Sequence, residues 1–279
     1  VRTGSLQVDL GTDPRAWFPG GFELVEAWWV VFLHHDVLIE AAGLEFLFLA
    51  AVSTWALAGW LGLGSAASLL ASLTVASIPG LSMQSLACLN DAPVAALVLA
   101  AAALITARVP SSLLIFVGGL AAGVKPTTVY AAPGLLLLLF LVRKSAPAPA
   151  ASRVLPALLA AFGVLIGAYW YVRTWILTGS PLHPLGTALL QGPSGPPLQR
   201  LGVNAGSLRD ALADLVNHRI YDGRRMYNPL LEHSAGWGVA IVACGLPALI
   251  AGLRKVPRLR ILAAAFALSL ASVLSLVVN

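Results

Sequence analysis

Hydrophobic positions along this chain come in long unbroken runs, and the polar residues collect in the gaps between them. The runs cover 37–61, 65–82, 93–107, 111–142, 154–177, 237–253 and 261–278. A helix rises ~1.5 Å per residue, so ~20 apolar residues cross a hydrocarbon layer. Each run therefore predicts a helix, and 111–142, too long for one crossing and short for two, predicts a pair. The only charge in that stretch is Lys125, with Pro126 directly after it. Proline removes an amide donor and pushes the residue before it out of helical geometry, which places the break at Lys125-Pro126. An ammonium at such a break has to face water, a carboxylate or an anionic ligand. The pattern predicts eight helices in an all-α polytopic membrane bundle, a single transmembrane domain over 1–279 with amphipathic helices on its outer face. The chain starts at Val1 without methionine and stops at Asn279 straight after an apolar run, so the domain is expected to be incomplete at both ends.

Composition agrees: 58% of residues are hydrophobic and 10% charged, with a mean hydropathy of +0.86, more apolar content than a water-soluble surface accommodates. The formal charge of +5 raises nucleic acid as a partner. The basic residues, however, lie between apolar spans and build no continuous basic face with interleaved aromatics, so that class is excluded. Cys88 and Cys244 have neither metal-ligand spacing nor a disulfide framework and are expected to be packed apolar groups.

Charge also orients the helices. If they alternate, one side receives the links 62–64, 108–110, 143–153 and 254–260, which hold Arg108, Arg143, Lys144, Arg153, Arg254, Lys255, Arg258 and Arg260 and no acid. By the positive-inside rule that side is cytoplasmic. Every Asp and Glu, and all five histidines, then fall on or near the other side, where any chemistry is expected.

Residues 1–36 read as an outer interfacial segment with turns at Asp13-Pro14 and Pro19-Gly20-Gly21, then an amphipathic stretch bearing Glu23, Glu26, Trp28 and Trp29. Glu23 and Glu26 either face a cavity or form the solvated first turn of a helix, where acids complement the dipole. His34-His35-Asp36 resembles a metal cluster, but neighbours on a helix diverge and no third ligand is suitably spaced, so it reads as an interfacial cap and no metal site is assigned. Glu40 and Glu45, five apart in the first long run, point to different faces, and Glu45 is kept as an intramembrane candidate.

Asn90-Asp91 before Pro93 suits a helix N-cap. The alternative pairs Asp91 with Lys125, since alternation puts both at outer ends of neighbouring helices. Arg173, ringed by Tyr169, Trp170, Tyr171 and Trp175, runs against the positive-inside rule, and its planar fork suits a phosphate; the competing reading is an arginine snorkelling to headgroups. Residues 178–235 form an outer loop. Within it, 207–220 predicts an amphipathic surface helix, and Arg219, Arg224 and Arg225 form a charge run that meets solvent or lipid.

Five stretches together carry a resemblance: FPGGFELVEAW (18–28), LNDAPVAALVLA (89–100), GGLAAGVKPTTVYAAPGLLLLL (118–139), YWYVRTWILTGSPLHPL (169–185) and GWGVAIVACGLPALI (236–250). In order and spacing the chain resembles membrane glycosyltransferases of the GT-C superfamily, the branch near protein O-mannosyltransferases and aminoarabinose transferases. The resemblance implies transfer of a sugar from a polyprenyl-phosphate carrier, the donor substrate, to a protein, lipid or glycan hydroxyl on the extracytoplasmic face. It implies a multi-pass protein of a plasma membrane, bacterial by its Ala, Leu, Gly and Arg bias. Carried over by position, Glu23 and Asp91 match catalytic acids, while Lys125 and Arg173 match the basic positions that hold the donor phosphate; His183 joins them as a substrate-binding candidate. The family's main catalytic acid is expected upstream of Val1, and a divalent metal is compatible with the chemistry. The competing readings are a transporter or flippase of lipid-linked saccharide, against which no internal repeat is found, and a non-catalytic membrane scaffold.

Overall fold

The computed structural model describes residues 19–36, 38–86, 89–143, 154–181 and 244–278. Among the described residues every regular element is helical. In chain order they are α1 (Gly21–Leu33), α2 (Ala42–Trp60), α3 (Ser65–Ala76), α4 (Pro79–Gln84), α5 (Asp91–Thr106), α6 (Ser111–Val124), α7 (Ala132–Arg143), α8 (Val154–Thr178), α9 (Leu246–Lys255) and α10 (Pro257–Val278). Short 3-10 turns at Ile39–Ala41 and Pro126–Ala131 precede α2 and α7. Helices α2 and α8 are long and apolar enough to cross a membrane, by length and composition, and α3, α5, α6 and Pro126–Val142 are shorter apolar helices.

The breaks follow local chemistry. Lys125 is extended (φ −157°, ψ 136°), so the 111–142 run divides where the proline rule places it. The same rule corrects another expectation: 65–82 is not one helix. Ile78, ahead of Pro79, takes ψ 116° and separates α3 from α4. His34 ends α1 in the left-handed region at φ 57°, consistent with its reading as a cap. Gly62 (φ 95°) supplies the positive φ needed in the short turn between α2 and α3.

Packing rests on small residues. Helix α5 is buried nearly all round, by Ala92, Ala96, Leu97, Ala100, Ala101, Ala102, Ala103 and Ile105. An apolar helix without a polar face belongs at the centre of a bundle, and alanine lets its neighbours come close. Helices α6 and α8 run parallel through glycines: Gly119 lies against Gly163 and Gly167, and Gly123 against Ile166. There is no room for a side chain at Gly119, whose Cβ would overlap the Gly163 carbonyl. Helices α2 and α3 form an antiparallel hairpin, with the Ser72 hydroxyl donating to Ala51 O at 2.7 Å. Helices α7 and α10 are also antiparallel, with Gly134 against Ala265 and the Ser269 hydroxyl donating to Ala131 O at 3.3 Å.

Two apolar clusters stack along the bundle. One joins Phe22, Ala42, Leu97, Ala100, Val117, Ala121 and Val124. The other joins Leu57, Ala102, Ala103, Ile105, Leu138, Val142 and Ala265, with Ile261 and Leu262 packed on it. The second cluster gathers the C-terminal ends of α2, α5 and α7 with the N-terminal half of α10, so Arg108, Arg258 and Arg260 belong to one end of the bundle. Glu23, Asp91 and Lys125 belong to the other. The outward surface is itself apolar: Phe48, Leu165 and Ile176 are exposed.

Candidate functional site

Helix α1 is the element that completes the acidic end. Phe22 is 1% exposed and meets the Phe46 ring edge-on at 5.6 Å, which inserts the start of α1 into the first apolar cluster. Gly21 allows the α1 backbone to rest on the end of α6, where a Cβ would sit 2.5 Å from Gly123 O. Gly20 lies against the indole of Trp170 on α8. The predicted interfacial segment is therefore docked into the bundle through its first turn, and the part at 1–18 lies outside the described residues. Its other face stays exposed at Trp28, Val31 and Phe32.

With α1 in place, residues far apart in sequence meet. The Asn90 side-chain amide donates to Glu23 Oε1 at 3.1 Å. Lys125 Nζ lies 2.5 Å from Asp91 Oδ1, in a pair whose side chains are 34% and 55% exposed. The extended backbone at Lys125 is held by its own N–H to Ala121 O (3.2 Å) and by the Thr128 hydroxyl donating to its carbonyl (2.9 Å). The N-cap reading of Asn90-Asp91 is thereby corrected: neither side chain caps α5, because both turn outward to α1 and α6. The other reading, an Asp91–Lys125 pair between neighbouring helices, is the arrangement found.

Arg173 approaches from α8. Its guanidinium lies 5.9 Å from the centroid of the Trp170 ring, and its Nη1 is buried with no hydrogen-bond partner among the described residues. Both sequence readings of Arg173, a donor phosphate and a lipid headgroup, supply the anionic oxygen that this nitrogen lacks among the described residues. The Tyr171 hydroxyl donates to Ala122 O at 2.9 Å and ties α8 to α6 next to Lys125. Of the other predicted positions, His183, the 207–220 helix and nearly all of the loop at 178–235 lie outside the described residues.

The sequence reading missed one contact and left the setting of Glu26 open between a cavity and a solvated first turn. Asn90 bridges α5 to Glu23, and its position directly before Asp91 was the available signal. Glu26, one turn beyond Phe22 on the docked face of α1, is buried at 8% exposure. Glu45 lines an open groove of about 420 Å³ with Leu24, Val25 and Trp28, between α1 and α2. Among the described residues no group of three His, Cys, Asp or Glu side chains could hold a metal ion.

The arrangement offers one carboxylate held by an amide, one carboxylate neutralised by an ammonium, and one guanidinium nitrogen without an acceptor among the described residues. These are groups that can accept a proton and hold an anion. Comparison with known proteins returns nothing: no protein-family profile, no curated protein and no solved structure matches this chain.

Proposed function

We propose that this chain is a polytopic membrane glycosyltransferase that moves a sugar from a polyprenyl-phosphate carrier to a hydroxyl of a protein, lipid or glycan at the acidic, extracytoplasmic end of the bundle. The observation that carries the reading is Arg173 Nη1, a buried cationic donor with no acceptor among the described residues. A buried donor left unmade costs ~1–3 kcal/mol, more for a charged group, and a phosphate oxygen would satisfy it through a charge-assisted bond. It lies on the helix that Tyr171 ties to α6 beside Lys125.

In this reading the acceptor hydroxyl attacks the anomeric carbon while the bond from that carbon to the phosphate oxygen breaks. The bonding electrons leave with the polyprenyl phosphate, whose added charge faces Arg173, with Lys125 nearby. The hydroxyl proton passes to a carboxylate, a role assigned in this reading to Glu23, which accepts from Asn90. Asp91 keeps Lys125 in position. The exposed apolar belt of α2 and α8 supports the membrane setting, as does the segregation of acids from the Arg and Lys links.

The test is transfer by the purified chain from a polyprenyl-phosphate-linked sugar to a hydroxyl acceptor. Arg173→Gln should lower kcat/KM by at least about a hundredfold, in keeping with the loss of one charge-stabilising donor, while its melting curve stays close to the parent. Full turnover in Arg173→Gln would remove the assignment. A scaffold reading is favoured by one observation: Lys125 is already neutralised by Asp91. Lys125→Met separates the two, since a scaffold keeps its partners and a transferase loses turnover while remaining folded.

A further inference from the structure

The opposite end of the bundle carries a second organised feature. Four cations, Arg254, Lys255, Arg258 and Arg260, fall within seven residues around the turn between α9 and α10. Helix dipoles account for only half of them. Arg254 and Lys255 close the last turn of α9, where cations are favoured, but Arg258 and Arg260 open α10, where the dipole opposes them.

What holds these two is a set of backbone carbonyls. Arg258 Nη1 donates to Trp60 O at 2.5 Å, with the guanidinium 5.6 Å from the Trp60 ring centroid. Arg260 Nε donates to Leu253 O at 2.6 Å and its Nη2 to Arg254 O at 3.0 Å. The fold thus fixes like charges together at one turn. All described acidic residues, at 23, 26, 36, 40, 45 and 91, belong to α1, to the stretch leading into α2 or to the first turns of α2 and α5, at the far end of the bundle. No described carboxylate compensates the cluster.

The helix leading into the turn has the matching apolar component. Leu246, Leu249, Ile250 and Leu253 recur at the spacing of one helical face, and the first three are exposed. No residue of α9 is buried. An apolar stripe that ends in uncompensated cations is the signature of a helix seated in an anionic lipid interface.

We propose that the α9–α10 turn is a seat for anionic phospholipids, with Arg254, Lys255 and the N–H groups of Arg258 beyond the one on Trp60 O facing the headgroup phosphate and the acyl chains lying along Leu246, Leu249 and Ile250. The proposal rests on the membrane reading above and is independent of the transfer chemistry. Arg258 and Arg260 keep the turn closed, so the test uses Arg254 and Lys255, whose side chains make no carbonyl contact among the described residues.

The full chain in neutral detergent is melted with added phosphatidylglycerol, with phosphatidylcholine of the same chains, or with inorganic phosphate, and lipid retained on the protein is counted by native mass spectrometry. Phosphatidylglycerol should raise Tm by about 3–5 °C more than phosphatidylcholine, and inorganic phosphate should leave Tm unchanged. Arg254→Gln combined with Lys255→Gln should remove at least about half of that difference, and rising salt should erode it in the unaltered protein, which guards against a variant that simply folds poorly. Equal stabilisation by the two lipids, a full difference in the double variant, a salt-insensitive difference or the same gain from phosphate alone would each overturn the seat. If the chain instead stays dispersed without detergent and retains neither lipid, it is the membrane reading that fails.

Discussion

Single side chains at the acidic end divide into those that hold position and those available for chemistry. The Asp91–Lys125 pair is short but open to solvent, and exposed pairs contribute about 0–1 kcal/mol. Asp91→Asn and Lys125→Met are each expected to cost about 1 kcal/mol or less, with a coupling of about 0.2–1 kcal/mol in a double-mutant cycle read by chemical unfolding. A coupling well above that range would mean the pair is more shielded than its exposure indicates. Glu23→Gln makes a sharper separation. The amide oxygen of Gln still accepts from Asn90 Nδ2, so the contact between α1 and α5 survives while the proton acceptor is lost. The expected outcome is an unchanged Tm with transfer reduced about a hundredfold or more. Unaltered transfer would remove Glu23 from the role of base.

At the scale of elements, the closest contact is between α6 and α8, where three glycines replace side-chain interdigitation with backbone contact. Gly119→Ala forces a methyl group into the Gly163 carbonyl and is expected to cost about 1–3 kcal/mol by overpacking. Its neighbour provides an internal control. A Cβ at Gly118 meets nothing within 4 Å, so Gly118→Ala should be neutral or stabilise by about 0.5–1 kcal/mol through helix propensity. Thermal melting of both variants reads the difference, and equal behaviour would mean that α6 and α8 do not pack as described. The Lys125-Pro126 break and the Ile78-Pro79 break were both written in the chain by the same local rule. Only the first was read correctly, because in 65–82 the continuity of apolar residues masked a proline whose effect is stronger than hydropathy.

For the whole molecule, the prediction concerns sidedness. In a background with Cys88→Ser and Cys244→Ser, single cysteines at His34 and at Lys255 should react with a membrane-impermeant maleimide from opposite sides of sealed vesicles, and one at Gly62 should follow Lys255. Labelling of all three from one side would end the reading of a bundle with an acidic outer end and a basic inner end. The segregation was visible before folding, because it depends on which links alternate along the chain. The pairing of Asp91 with Lys125 followed from it as one of two options.

The partition between chain and fold has a physical basis. Helical class, the kink at Lys125 and the division of charge are consequences of neighbours in sequence: hydropathy over a turn or more, the missing amide of proline, and alternation of links. The contact of Asn90 with Glu23 and the burial of Glu26 depend on α1 docking by Phe22 and Gly21 onto the ends of α2 and α6. Such docking is settled by complementary shapes between elements separated by dozens of residues, where no periodicity or local propensity operates. Tertiary packing alone decided them.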